Sequence, residues 1–288
     1  MGRRLRVSVL ILLVSLICVL AWAGSATAIQ FGQPDGDNHP YVCLVVFYDQ
    51  NDKPLWRTTG ELISSTVVLT AGHGTFDTSG ARVWFLKDIP PNPEGSKDKY
   101  PFGGPDSYHG TPYTNPQYRD VPLPGLPGFD YHDVGIVVLD TAVPASVAND
   151  YAELPTAGVV DTLSPKHPVD LVGYGVNYQE HGGGVLPYDT WQWLRQRQYA
   201  PAQVVQTKSR MASEFLKLTA NPAQGKGGIT FGDSGGPILD RDTDVVFALN
   251  AFVSNSNCSG VSYAQRIDIP DILAWINSFP RVAGSKLP

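Results

Sequence analysis

Short apolar runs rich in β-branched and aromatic residues recur along the chain at 41–48, 61–69, 81–86, 135–139, 169–174, 204–207 and 245–252, each bounded by turn-forming residues. Few helical periods lie between them, so the pattern predicts an antiparallel barrel or sandwich rather than βαβ units. The 29 Gly and 24 Pro of this 288-residue chain agree. They make up about 18% of it, against roughly 12% on average. A chain that turns so often does not build long bundles or coiled coils. One helix is expected near the end. There Asp268, Pro270 and Asp271 supply N-terminal signals before an apolar face of Ile272, Leu273, Trp275 and Ile276.

Hydrophobic residues reach 42% and charged residues 17%, the balance of a packed core rather than a disordered chain. A formal net charge of −6 is the wrong sign for a nucleic-acid-binding footprint. Three Cys are too few for a disulfide scaffold.

Residues 1–28 read as an export signal. Arg3, Arg4 and Arg6 form a basic head, residues 7–23 are apolar and uncharged, and Ala26-Thr27-Ala28 places small residues at the −3 and −1 positions of a cleavage site. An uncleaved membrane anchor is the competing reading, because the apolar run sits at the lower limit for spanning. The small residues after it favour cleavage. The expected product, residues 29–288, is secreted and more acidic, and it keeps only Cys43 and Cys258. Their pairing depends on geometry that spacing does not supply.

Residues 87–129 contain ten Pro with scattered Gly, Asp and Tyr. They read as a long, extended surface insertion rather than a domain.

The strongest chemical signal is Gly232-Asp233-Ser234-Gly235-Gly236-Pro237. It fits the Gly-x-Ser-x-Gly elbow of α/β-hydrolases, but that fold needs its catalytic His after the Ser, and the last His here is His181. A Ser nucleophile needs a base that is itself oriented by a third group. Of the six His, only His73 follows a strand-like run, Thr66-Val67-Val68-Leu69, with the small Thr70-Ala71-Gly72 before it. His39, His109, His132, His167 and His181 sit in turns or beside Pro- and Gly-rich segments and read as surface or structural residues. Asp133 stands at the mouth of the apolar strand Val134-Gly135-Ile136-Val137-Val138-Leu139, where a carboxylate carried partly inside must be paired.

Taken in the order His, Asp, Ser, these segments resemble the trypsin-like (chymotrypsin-fold) serine proteases. Leu69-Thr70-Ala71-Gly72-His73, Asp133 to Leu139 and Gly232 to Pro237 carry the resemblance. Val172-Gly173-Tyr174-Gly175, Gly260-Val261-Ser262-Tyr263 and the terminal Trp275-Ile276 segment add to it. Gly74 and Thr230 occupy places where the family often has Cys, as in various microbial relatives.

The resemblance implies an all-β fold of two antiparallel six-stranded barrels, with the active site between them and a C-terminal α-helix. It implies a serine endopeptidase with Ser234 as nucleophile, His73 as base, Asp133 as orienting acid and the Gly232 and Ser234 N–H groups as oxyanion hole. Gly228 and Ile229 would line the substrate pocket, and no carboxylate there would select Arg or Lys. Ile29, freed by cleavage after Ala28, would pair with Asp233 to activate the enzyme. A monomer acting on polypeptides is implied, with no metal, no cofactor, no nucleic acid and no stable membrane association. The competing class is a catalytically silent binding module on the same fold. A metalloenzyme is disfavoured by the absence of His-Glu-x-x-His.

Overall fold

The computed structural model describes residue 29 and residues 32–92, 94, 100–101, 103–121, 129–180, 190–209, 212–243 and 245–280. The export signal, His181 and parts of the 87–129 segment lie outside the described residues.

The first half of the chain forms a closed barrel. Strands β2 (Val42–Tyr48), β3 (Pro54–Ser64), β4 (Val67–Thr70), β9 (Gly135–Leu139), β6 (Ser107–Thr114) and β5 (Gly80–Trp84) are joined in that order, and β5 pairs back onto β2. The second half closes in the same way through β13 (Gln198–Gln206), β10 (Pro168–Gly173), β15 (Pro237–Asp240), β16 (Val246–Val253), β17 (Gly260–Arg266) and β14 (Phe215–Ala220), with β14 returning to β13. β1 (Gln33–Pro34) adds to the outside of β13. Both rings are antiparallel, as the alternating runs required. Closure removes exposed sheet edges.

Two sequence expectations change. The run at 61–69 is not one strand: it spans the hairpin between β3 and β4, with Ser65 and Thr66 at the turn. The 87–129 segment is not wholly a surface insertion, because β6 lies within it and closes the first barrel between β5 and β9. β6 escapes a β-propensity reading because its sequence is Ser-Tyr-His-Gly-Thr-Pro-Tyr-Thr. Gly110 is required by space, since a Cβ there would lie 2.7 Å from Val137 Cγ1 and 2.8 Å from Val138 O. β7 (Arg119–Val121) and β8 (Phe129–Tyr131) form a separate hairpin that brings the chain back to Asp133.

The helix Pro270–Asn277 buries Ile272, Leu273 and Ile276 against the first-barrel core, each worth roughly 1.5–3 kcal/mol, and so ties the chain's end to its beginning. Asp268 does not cap this helix. Its carboxylate accepts from Val160 N–H (2.9 Å) and from Arg266 (2.8 and 2.9 Å). Cys43 and Cys258 are buried and unpaired. Burial raises both thiols, Cys43 well above the ordinary value and Cys258 to about 12.

Glu61 on β3 is fully buried in the first barrel, and neither carboxyl oxygen has a hydrogen-bond partner among the described residues. Burial drives its pKa well above the usual carboxylate value. Between the unfolded and folded pKa values the unfolded chain binds fewer protons, so stability falls as pH rises through that window. Glu61→Met is expected to stabilise the protein by about 1–3 kcal/mol at neutral pH. The gain should be smallest near pH 4, as read by denaturant unfolding of both proteins at pH 4 and pH 7. A gain independent of pH would contradict the buried-acid assignment.

Candidate active site

His73 lies in the short helix Gly72–Thr75, directly after β4. The helix can approach β9 because Gly72 has no side chain: a Cβ there would lie 2.9 Å from Val134 N. Asp133, 1% exposed, holds His73 twice over, by its backbone and by its ring. Oδ1 accepts the His73 backbone N–H at 2.7 Å, and Oδ2 lies 2.8 Å from Nδ1. Asp133 N–H donates to Gln265 Oε1 at 3.1 Å, so a strand of the second barrel steadies the acid. A carboxylate on Nδ1 fixes the proton there and leaves Nε2 as the basic nitrogen.

A second carboxylate, absent from the sequence expectations, approaches the same ring. Asp130 Oδ2 on β8 is 3.9 Å from Nδ1. Burial and the neighbouring Asp133 raise Asp130 to about 6, and Tyr118 hydrogen-bonds to it. Burial of the imidazole opposes its charging, but the charge and hydrogen bond of Asp133, then the charge of Asp130, outweigh that, and the His73 pKa is raised. His73, Asp130 and Asp133 also present one ligand atom each within 4.8 Å of one another. Four other His are held by carboxylates: His39 by Asp35, His109 by Asp140, His132 by Glu214 and His167 by Asp240. Those pairings agree with a structural role for all four.

The loop that carries Ser234 is clamped from the first barrel. Thr59 N–H donates to Ser234 O (2.9 Å), and Thr59 Oγ1 donates to Gly232 O (3.0 Å). Gly235, at φ +77°, packs against the segment before His73, where a Cβ would fall 2.3 Å from Ala71 N. Only glycine fits both that backbone shape and that space. Val176 N–H donates to Phe231 O at 2.9 Å. In the trans peptide that follows, the Gly232 N–H must then point the opposite way. Among the described residues neither Gly232 N–H nor Ser234 N–H has an acceptor. Two free donors beside one hydroxyl form a place for a developing negative charge. Ser234 Oγ and His73 share no hydrogen bond in this structure, a separation common in enzyme sites without a bound substrate.

Asp233 is fully buried. Its Oδ1 accepts Gly175 N–H (2.7 Å), and its Oδ2 accepts Thr230 N–H and Thr230 Oγ1–H (2.8 Å each). Burial still raises it to about 6 against those bonds. Ile29 is also fully buried, in the second-barrel core with Val160, Leu171 and Ile229. Its φ of +51° is costly for a β-branched residue. Gly228 is buried against Ala220, which a Cβ would approach to 2.4 Å. Ile229, 3% exposed, turns its side chain into the second-barrel core, so that side chain does not line a substrate pocket.

The family model described as Trypsin matches residues 31–276. Among solved structures, a collagenase titled HL collagenase superposes with a TM-score of 0.60 at 16% identity, covering 83% of this chain and 93% of its own. Human heparin binding protein superposes with a TM-score of 0.59 at 14% identity, covering 89% and 99%. These likenesses establish the fold. No curated protein sequence matches the chain.

Removing either carboxylate beside the ring should lower the His73 pKa, because each anion favours the imidazolium. In an NMR titration the imidazole midpoint should fall in Asp130→Asn and fall further in Asp133→Asn. A midpoint unmoved by Asp130→Asn would show that its charge does not reach the ring.

Proposed function

Because the chain belongs to the trypsin family, we propose that it is a secreted serine endopeptidase of the microbial, disulfide-poor type, cutting peptide bonds through His73, Asp133 and Ser234. The observation that carries this reading is the pair of free N–H groups, Gly232 and Ser234, placed by a loop that packs against the His73 segment while Asp133 holds Nδ1. His73 Nε2 takes the Ser234 proton as Oγ attacks the scissile carbonyl, and the two N–H groups hold the oxyanion. The imidazolium, stabilised by Asp133, returns that proton to the leaving amine. An acyl-enzyme remains, and water attacks it by the same route in reverse.

Gly228 supports a neutral preference at the residue before the cut, since it brings no carboxylate to pair with Arg or Lys. Residues 1–28 direct export, and cleavage after Ala28 makes Ile29 the N-terminus. Its ammonium then pairs with Asp233, a carboxylate as fully buried as Ile29 itself. The positive φ of Ile29 supports this cut, because that torsion exists only while residue 28 is attached. Sequencing the N-terminus of the secreted protein tests it, and a first residue other than Ile29 rejects it.

The central test is a peptide-library assay of wild type beside Ser234→Ala, His73→Ala and the double variant. Each single change should lower kcat by about 10⁴- to 10⁶-fold, with the double variant no worse, because the residues act as one unit. A fluorophosphonate should label wild type at Ser234. A folded wild-type protein that is neither labelled nor active would instead be a binding module on this fold.

A further inference from the structure

Arg57 is a cation in an unusual place. It stands on β3, two residues from Thr59, and is 9% exposed. Its guanidinium lies 3.8 Å from the centre of the Trp193 ring, a desolvated cation–π contact. Nη1 donates to the Tyr174 carbonyl oxygen. A Cβ on Gly232 would come within 2.4 Å of that same nitrogen. The cation is therefore wedged between Trp193 and the loop that presents the free Gly232 N–H. Burial lowers the Arg57 pKa to about 10, with Asp233 opposing the fall, so the group stays charged at neutral pH.

One peptide group links this cation to Asp233. The Tyr174 C=O accepts from Arg57, and the Gly175 N–H of the same peptide donates to Asp233 Oδ1 at 2.7 Å. In a trans peptide these two groups point in opposite directions, so guanidinium, amide and carboxylate form one line of hydrogen bonds. Away from water such a line polarises itself, each bond strengthening the next. The anion inside the loop thus has a cation at the far end of an oriented amide dipole, supplied by the first barrel.

We infer that Arg57 is the built-in counter-charge of Asp233, a positioning residue that acts through the Tyr174–Gly175 peptide to set the Gly232–Ser234 loop before the N-terminus is cut. Its catalytic consequence rests on the peptidase reading; its structural consequence does not.

The experiment uses Arg57→Met and Arg57→Lys, each in a chain beginning at Ile29 and in one with Met added before Ile29. Hydrogen exchange at the Gly175 amide reads the brace without turnover. It should quicken about tenfold or more in Arg57→Met and less in Arg57→Lys, which keeps the charge but loses the planar fork. In the Met-extended chain wild type should retain activity. There Arg57→Met should lose tenfold or more in kcat with KM little changed, since the hole acts on the transition state. The loss should be smaller when the Ile29 ammonium is free. Unchanged Gly175 exchange in folded Arg57→Met overturns the inference, whatever the activity. A loss confined to KM also overturns it, by making Arg57 a substrate contact. An unlabelled, inactive wild type with faster Gly175 exchange in Arg57→Met rejects the peptidase reading and keeps the brace.

Discussion

The bond from Thr59 N–H to Ser234 O is one of several hydrogen bonds that join the two barrels, and the candidate site exists at that join. His73 and Asp133 belong to the first barrel, Ser234 and both free N–H groups to the second. A shift of β3 by one residue would reverse its side chains and withdraw Thr59 Oγ1 from Gly232 O. The 2.9 Å backbone bond and the 3.0 Å side-chain bond thus fix register, and register fixes the site. Gly235 completes the join, sitting where a Cβ would collide with the Ala71 and Thr59 backbone, while Gly72 lets the His73 helix close on Val134 within the first barrel.

The buried charges divide into supported and unsupported groups. Asp35 meets Arg197 at 2.7 Å, and Asp268 meets Arg266 at 2.8 Å, so both carboxylates have a cation in contact. Asp233 accepts three hydrogen bonds yet remains raised, because hydrogen bonds from neutral donors offset burial less completely than a touching cation does. Glu61 has neither. The first two kinds brace chain segments, and the last sits alone in the barrel wall.

His73 and Asp133 were legible in the sequence because each flanks a strand, and Ser234 because it sits in Gly-Asp-Ser-Gly-Gly; the spacing of the strands pointed to an antiparallel barrel or sandwich, and the two six-stranded barrels came from the family resemblance. β6 was not legible, since Gly110 and Pro112 serve a crowded interior that composition scores as loop. Arg57 was hidden for a different reason: a lone Arg among polar residues on a strand reads as solvent-facing, and it is Trp193, Tyr174 and the Gly232 loop, all from the second half of the chain, that close over it. Asp130 carried a weak signal, three residues before Asp133, but the β7–β8 hairpin that folds it back onto the ring depends on pairing across a Pro-rich stretch. The direction of Ile229 could not be read either, because side-chain parity has no meaning in a segment outside any strand.

The two free thiols have a consequence for how the chain reaches this fold. Disulfide exchange proceeds through thiolate, and burial holds Cys258 at about 12 and Cys43 well above its ordinary value, so neither is an effective nucleophile once folded. The native molecule therefore needs no oxidant to complete it and presents no sulfur to a passing disulfide. Its correctness is indifferent to redox poise, and any covalent cross-linking between copies must date from before the barrels close.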